Sequence, residues 1–154
     1  MRTFILMTFI LSGHAFAGEF VKKKLQFNFI GDDFGNRIYY RCDSTKKLVE
    51  NHLATLGASS VLVKCSGGLE DHSRLPQWAP LSITALLDVP LPTENSVREV
   101  LVLDSRRSMH EDCFLNVSFL KTAIPLFPGV KVLKKSASCA HSNSRWSYTV
   151  EVAK

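Results

Sequence analysis

The side chains in this chain with the richest chemistry are four cysteines, Cys42, Cys65, Cys113 and Cys139. Cysteine can bind zinc, act as a nucleophile or pair in a disulfide. Zinc ligands usually come as close C-x2-4-C pairs. Here Cys42 and Cys65, like Cys113 and Cys139, stand more than twenty residues apart. That spacing favours disulfides over a zinc site built from cysteine, or from cysteine and histidine. Cysteine–histidine catalysis needs a free thiolate, which full pairing removes.

A second group is His110, Glu111, Asp112 and His141. A bond between Cys113 and Cys139 would bring Asp112 and His141 close. A histidine–carboxylate pair can do general acid/base work or hold a metal. The plainer reading makes Asp112 a charge at a helix N-terminus and His141 a loop residue. Trp78, with His72, Arg74 and Pro76 before it, forms a third group, suited to contact with a glycan or a protein. Its plainer reading folds the indole over the core. His52 lies beside an apolar helical stripe and reads as a core or boundary residue. Ser66-Gly67-Gly68 follows a strand but opens no helix, so it reads as a turn rather than a phosphate-binding loop. The sequon Asn116-Val117-Ser118 falls inside a predicted helix. No G-x-S-x-G, H-E-x-x-H, Walker or dinucleotide motif occurs. No catalytic residue, metal or cofactor is therefore assigned.

The elements that must position these groups follow from periodicity. Residues 21–30 alternate at Leu25, Phe27 and Phe29, a half-buried strand. The turn-dense segment 31–36 predicts a hairpin connection, with 37–42 as the return strand. Asp43 or Ser44 can cap a helix over 44–56 that carries Leu48, Val49, Leu53 and Leu56, and Gly57 sits where a left-handed C-cap is expected. Residues 60–65 read as a strand, 66–79 as the longest loop, and 80–89 as a strand. Segment 97–104 is apolar without interruption from Val100 to Leu103, which predicts a central strand. Ser108 and Glu111 fit a capping box. The helix after it places Cys113, Val117, Leu120 and Ile124 on one stripe, with Leu115 and Phe119 off it, so that helix is expected to be covered more fully. Strands at 130–133 and 146–152 follow.

The expected fold is therefore α+β: a mostly antiparallel sheet with two helices on one face, approximately ββαβ-ββαβ-β. Laying Cys42 on Cys113 also brings Leu48 onto Phe119, Val49 onto Leu120 and Leu53 onto Ile124, which suggests two related halves. In a β-α-β unit both strands end at the same sheet edge. Of the three pairings open to four cysteines, that geometry favours Cys42–Cys65 and Cys113–Cys139, each closing a loop of about 25 residues. The crossed pairings stay open.

Residues 1–17 read as a secretory signal peptide: Arg2, the apolar run 4–11 (FILMTFIL), and Ala15-Phe16-Ala17 as the cleavage site. Residues 18–154 then form a single domain, exported to the periplasm or secreted, where an even number of cysteines favours disulfides. No transmembrane segment is expected after cleavage. The chain carries 19 Lys and Arg against 14 Asp and Glu, a formal charge of +5. The excess lies in short runs such as Lys22-Lys23-Lys24, so no nucleic-acid partner is expected.

The pattern YYRCDSTKKLVENHLATLGASSVLVKCSGGL, Trp78 and Pro80, DCFL, IPLFPGVKVL and Cys139-Ala140-His141 resembles a family of small exported proteobacterial proteins. Phe114 departs from it, since the family usually has an acidic residue there, and Cys139-Ala140-His141 is shorter than its counterpart. The resemblance implies export, paired cysteines and one fold, and implies no activity. The expected function is a non-enzymatic binding or interaction module of the cell envelope, meeting an envelope component or a protein through His72, Trp78, Asp112 or His141. The alternative is a small periplasmic hydrolase or metal-dependent enzyme using His141 and Asp112.

Overall fold

Strand β1 (Phe20–Phe29) shows the alternation that makes a strand two-faced: Leu25 and Phe27 are buried while Lys24, Gln26 and Asn28 are exposed. In the computed structural model, which describes residues 19–33, 36–38, 40–69, 78–104, 110–139 and 144–153, its partner is not the chain that follows it. It pairs antiparallel with β5 (Trp78–Pro90), Leu25 facing Ala85 and Phe27 facing Ile83. The expected return strand at 37–42 is replaced by a small hairpin, β2 (Gly31–Asp33) with β3 (Asn36–Ile38). Alternation tells which face of a strand is buried and leaves its partner open. The long, one-sided apolar face of β5 offers β1 ten paired positions, where the hairpin segment offers three.

Helix α1 (Cys42–Thr55), β4 (Ser60–Leu69), β6 (Arg98–Asp104), α2 (His110–Ala123) with a 3-10 turn at Ile124–Leu126, β7 (Val130–Ser138) and β8 (Arg145–Ala153) complete the order. The strands form two three-stranded antiparallel sheets, β1-β5-β4 and β6-β8-β7, beside the hairpin. The α+β class and the antiparallel pairing are as the sequence predicts, and the sheet is divided in two. Each half is strand, helix, strand, strand, with the last strand central. The repeat is thus real as topology, with its second unit starting at β6 rather than at the strand before it. Because β1 and β4 are both antiparallel to β5, they run the same way, and likewise β6 and β7.

That parallel relation puts each helix start beside the end of the strand after it. The disulfides are Cys42–Cys65 and Cys113–Cys139, with Cα–Cα 5.6 Å in each. This is the expected pairing, although each bond ties the first turn of a helix to the strand that follows it, not one strand end to another. The first helix begins at Cys42, not at 44, with Arg41 at the N-cap position and no capping bond from its side chain. The Cys42 tether to β4 holds that first turn, and Asp43 complements the dipole within it. The C-terminus is as expected. Gly57 has φ 101°, its N–H donates to Ala54 O, and the Ala58 N–H donates to Leu53 O, the two bonds of a Schellman motif.

Strand β4 runs to Leu69, through Gly67 and Gly68, so the expected turn is a bulge within a strand. Both glycines have positive φ, and a Cβ on Gly68 would lie 2.1 Å from Tyr40 O. Only glycine allows that backbone contact. Strand β6, expected to be central, is an edge strand that pairs, among the described residues, with β8 alone.

Helix α2 joins the halves. Cys113, Leu115, Asn116, Phe119, Leu120 and Ala123 are all buried on it, more than one stripe, because it touches β1 of the first sheet as well as β7 and β8 of the second. Phe119 meets the Phe27 ring edge-on at 5.6 Å. The buried apolar residues of both halves form one cluster.

Two outcomes are expected. Replacing either cysteine pair by alanine should lower unfolding free energy by about 2–5 kcal/mol, read as a lower urea midpoint with a slope no smaller than wild type's, since the freed unfolded chain exposes more surface. Gly68→Ala should cost at least about 2 kcal/mol, from positive φ and the Tyr40 contact together. A melting temperature equal to wild type would contradict that backbone geometry.

Candidate functional site

Three places in the molecule could carry chemistry: the ends tied by the disulfides, the polar seam between the halves, and the open face of the first sheet. At the tied ends, Asp112 lies in the first turn of α2 next to Cys113, and Trp78 opens β5 opposite Leu69. Their side chains, with those of His110 and Glu111, lie outside the described residues, as do His72 and His141 altogether. The second disulfide joins the segments that carry Asp112 and His141. All four cysteine sulfurs are bonded to one another, so none can supply a thiolate ligand or nucleophile. Among the described residues, no three His, Cys, Asp or Glu side chains cluster as a metal site would require.

The polar seam is the contact of α1 with α2. His52 Nε2 lies 2.6 Å from Asn116 Oδ1, to which it donates as the Nε2–H tautomer. The imidazole stacks on Phe119 (centroids 6.0 Å, 21°) and meets Trp146 edge-on at 5.9 Å. It is a boundary residue carried into the interior, as its position beside the stripe suggests. Asn116 is buried and holds this bond, so the sequon it heads is no acceptor in the folded chain. Nearby, Trp146 Nε1 and Tyr148 OH are buried with no hydrogen-bond partner among the described residues. Lys135 Nζ sits 5.4 Å over the Tyr148 ring. This seam is packing chemistry: aromatic rings around one hydrogen bond, largely shielded from solvent.

Burial lowers the His52 pKa below 6.5, and the Asn116 bond only partly offsets that. The folded chain therefore resists a proton that the unfolded chain accepts. The contribution to stability is complete above pH 6.5 and falls as pH drops through 6.5 towards the folded value. Thermal melting of wild type and His52→Gln at pH 7.5 and 5.5 should show a larger loss for wild type. Equal losses would mean that the imidazole is not buried neutral.

The open face belongs to the first sheet. Residues alternate out of β1, β5 and β4, and register sets them in rows. Lys24, Leu86 and Leu62 form the middle row. Lys22, Asp88 and Ser60 lie on one side of it, Gln26, Thr84 and Lys64 on the other. Leu62 is 56% exposed and Leu86 50%. The two leucines are direct cross-strand partners, so they make one apolar spot, ringed by three exposed lysines and one aspartate. A shallow depression of ≈ 270 Å³ lies over this spot, bounded by Lys22, Ser60, Leu62, Leu86 and Asp88. Sequence reasoning missed this face. The lysine run 22–24 was visible, but which strands would set Leu62 and Leu86 beside it depended on the pairing of β5.

No protein-family model matches the chain, and neither does any curated protein or solved structure. No helix among the described residues is long and apolar enough to cross a membrane.

Proposed function

We propose that this chain is an exported binding module of the cell envelope, without catalysis of its own, and that it meets an anionic envelope component through the open face of its first sheet. The observation that carries this reading is the Leu62–Leu86 pair enclosed by Lys22, Lys24 and Lys64. An apolar centre with a cationic rim suits an amphiphile that carries negative charge at its polar end. Export rests on the signal-like residues 1–17, and two disulfides are compatible with an oxidising compartment. Membership of the small exported proteobacterial family belongs to the same proposal.

Co-sedimentation with vesicles tests it. The folded, oxidised protein should bind vesicles containing phosphatidylglycerol, should ignore vesicles of phosphatidylcholine alone, and should bind less as salt rises. Exchanging Lys22, Lys24 and Lys64 together for glutamine should weaken binding on the order of a hundredfold, at about 1 kcal/mol per lysine. Trp78→Ala should leave vesicle binding unchanged. Failure to bind anionic vesicles at low salt, or equal binding to both vesicle types, would overturn the reading.

A further inference from the structure

Strand β6 has the sequence of an interior strand and the position of an outer one. Val100 to Leu103 is an unbroken apolar run, yet Val100 is 57% exposed and Val102 59%. Its extensive contact among the described residues is with β8 alone. The other outer strands carry devices that discourage pairing with a further chain. Three lysines, Lys22 to Lys24, lie along β1. Strand β4 has a register shift between Ser66 and Gly68, and Lys64 beside it. Strand β7 has a shift between Val132 and Lys134, with Lys131, Lys134 and Lys135 along it. Strand β6 has no lysine, no proline and no register shift.

We infer that β6 is a homodimer edge: two copies of this chain join β6 to β6 antiparallel, with a two-fold axis at Leu101, into one six-stranded sheet β7-β8-β6-β6-β8-β7. The sequence of β6, Arg-Glu-Val-Leu-Val-Leu-Asp, is nearly self-complementary about that centre. Arg98 falls opposite Asp104 of the second copy, Val100 opposite Val102, and Leu101 opposite itself. A two-fold axis repeats each pair, so both charged contacts are attractive and both valine contacts are β-branched cross-strand pairs. Arg98 already reaches Glu151 Oε1 at 2.6 Å on its own chain, so the guanidinium would lie between two carboxylates. Glu99, opposite Leu103, is the one unmatched pair. The next registers that keep a two-fold axis, centred on Val100 or on Val102, would set Arg98 against Val102 or Asp104 against Val100. This edge is remote in register from the Leu62–Leu86 face, which lies on the other sheet, so the two proposals stand or fall separately.

The test is sedimentation velocity over a concentration series of the oxidised protein, with circular dichroism as a check of folding. Wild type should populate a dimer at micromolar concentration. Arg98→Asp should weaken it on the order of tenfold or more, because two attractive contacts become repulsive. Asp104→Arg should do the same. Arg98→Asp combined with Asp104→Arg should restore it, since the pair is then swapped on both copies. Leu101→Cys should give a disulfide-linked dimer under mild oxidation, and Lys131→Cys should not. A monomer at every concentration, a dimer unaffected by the single charge reversals, or a dimer in which Leu101→Cys fails to cross-link would each overturn the inference. Capture of an extended peptide of another protein by a wild-type monomer would count as the first of these.

Discussion

Each half of the molecule depends on one constraint, the tie between the first turn of a helix and the later part of the strand that follows it. Cys42 and Cys113 occupy that first turn, Cys65 lies within β4 just before its register shift, and Cys139 directly follows β7. The helix can reach that part of the strand because β1 and β4, or β6 and β7, run the same way on either side of a central antiparallel strand. The bond therefore spans a crossover rather than two neighbouring strands. It closes a long loop, which in the chain-entropy view takes roughly 3 kcal/mol of freedom from each unfolded half. The backbone then follows the tie closely. Arg41 needs no capping side chain, and Gly68 presses against Tyr40 O beside the first disulfide.

Between the halves the molecule uses a different physics. Helix α2 is buried on most sides, and its Phe119 and Asn116 meet Phe27 and His52 of the first half. Apolar burial supplies the attraction there, on the order of 1.5–3 kcal/mol for each large side chain fully removed from water. The His52–Asn116 bond supplies orientation, since a buried donor and acceptor without each other would each cost free energy. The outward faces and edges are left to carry contact with other molecules. On the first sheet this is the lysine-ringed leucine pair, and on the second it is an outer strand without the usual guards.

Much of this was legible along the chain. The helix with Val49, Leu53 and Leu56 inward and Gly57 at its end could be read from spacing alone, and so could the fuller burial of α2, from Leu115 and Phe119 lying off its main stripe. The cysteine pairing followed from crossover geometry. The candidate contact residues were another matter. His72 and His141 lie outside the described residues, while Lys22 was legible only as part of a charged run and Lys64, Leu62 and Leu86 as ordinary strand residues in two other segments. Their types are ordinary, and only adjacency makes them a site. The apolar run in β6 was read as a central strand because side chains report burial and do not say whether the neighbour belongs to the same chain.

Local chemistry thus settled the two helices, the C-cap at Gly57 and the α+β class, and favoured the covalent pairing, because each depends on residues within a few turns or on a short crossover. Tertiary structure settled which strands meet. The antiparallel partner of β1 lies more than fifty residues along the chain, in β5, and that long-range choice split one expected sheet into two. Alternation is the same for any partner of suitable polarity, so it cannot rank one against another. What ranks them is the total apolar area that β5 and β8 cover when they stand at the centre of their sheets, a quantity that exists only once the chain has closed on itself.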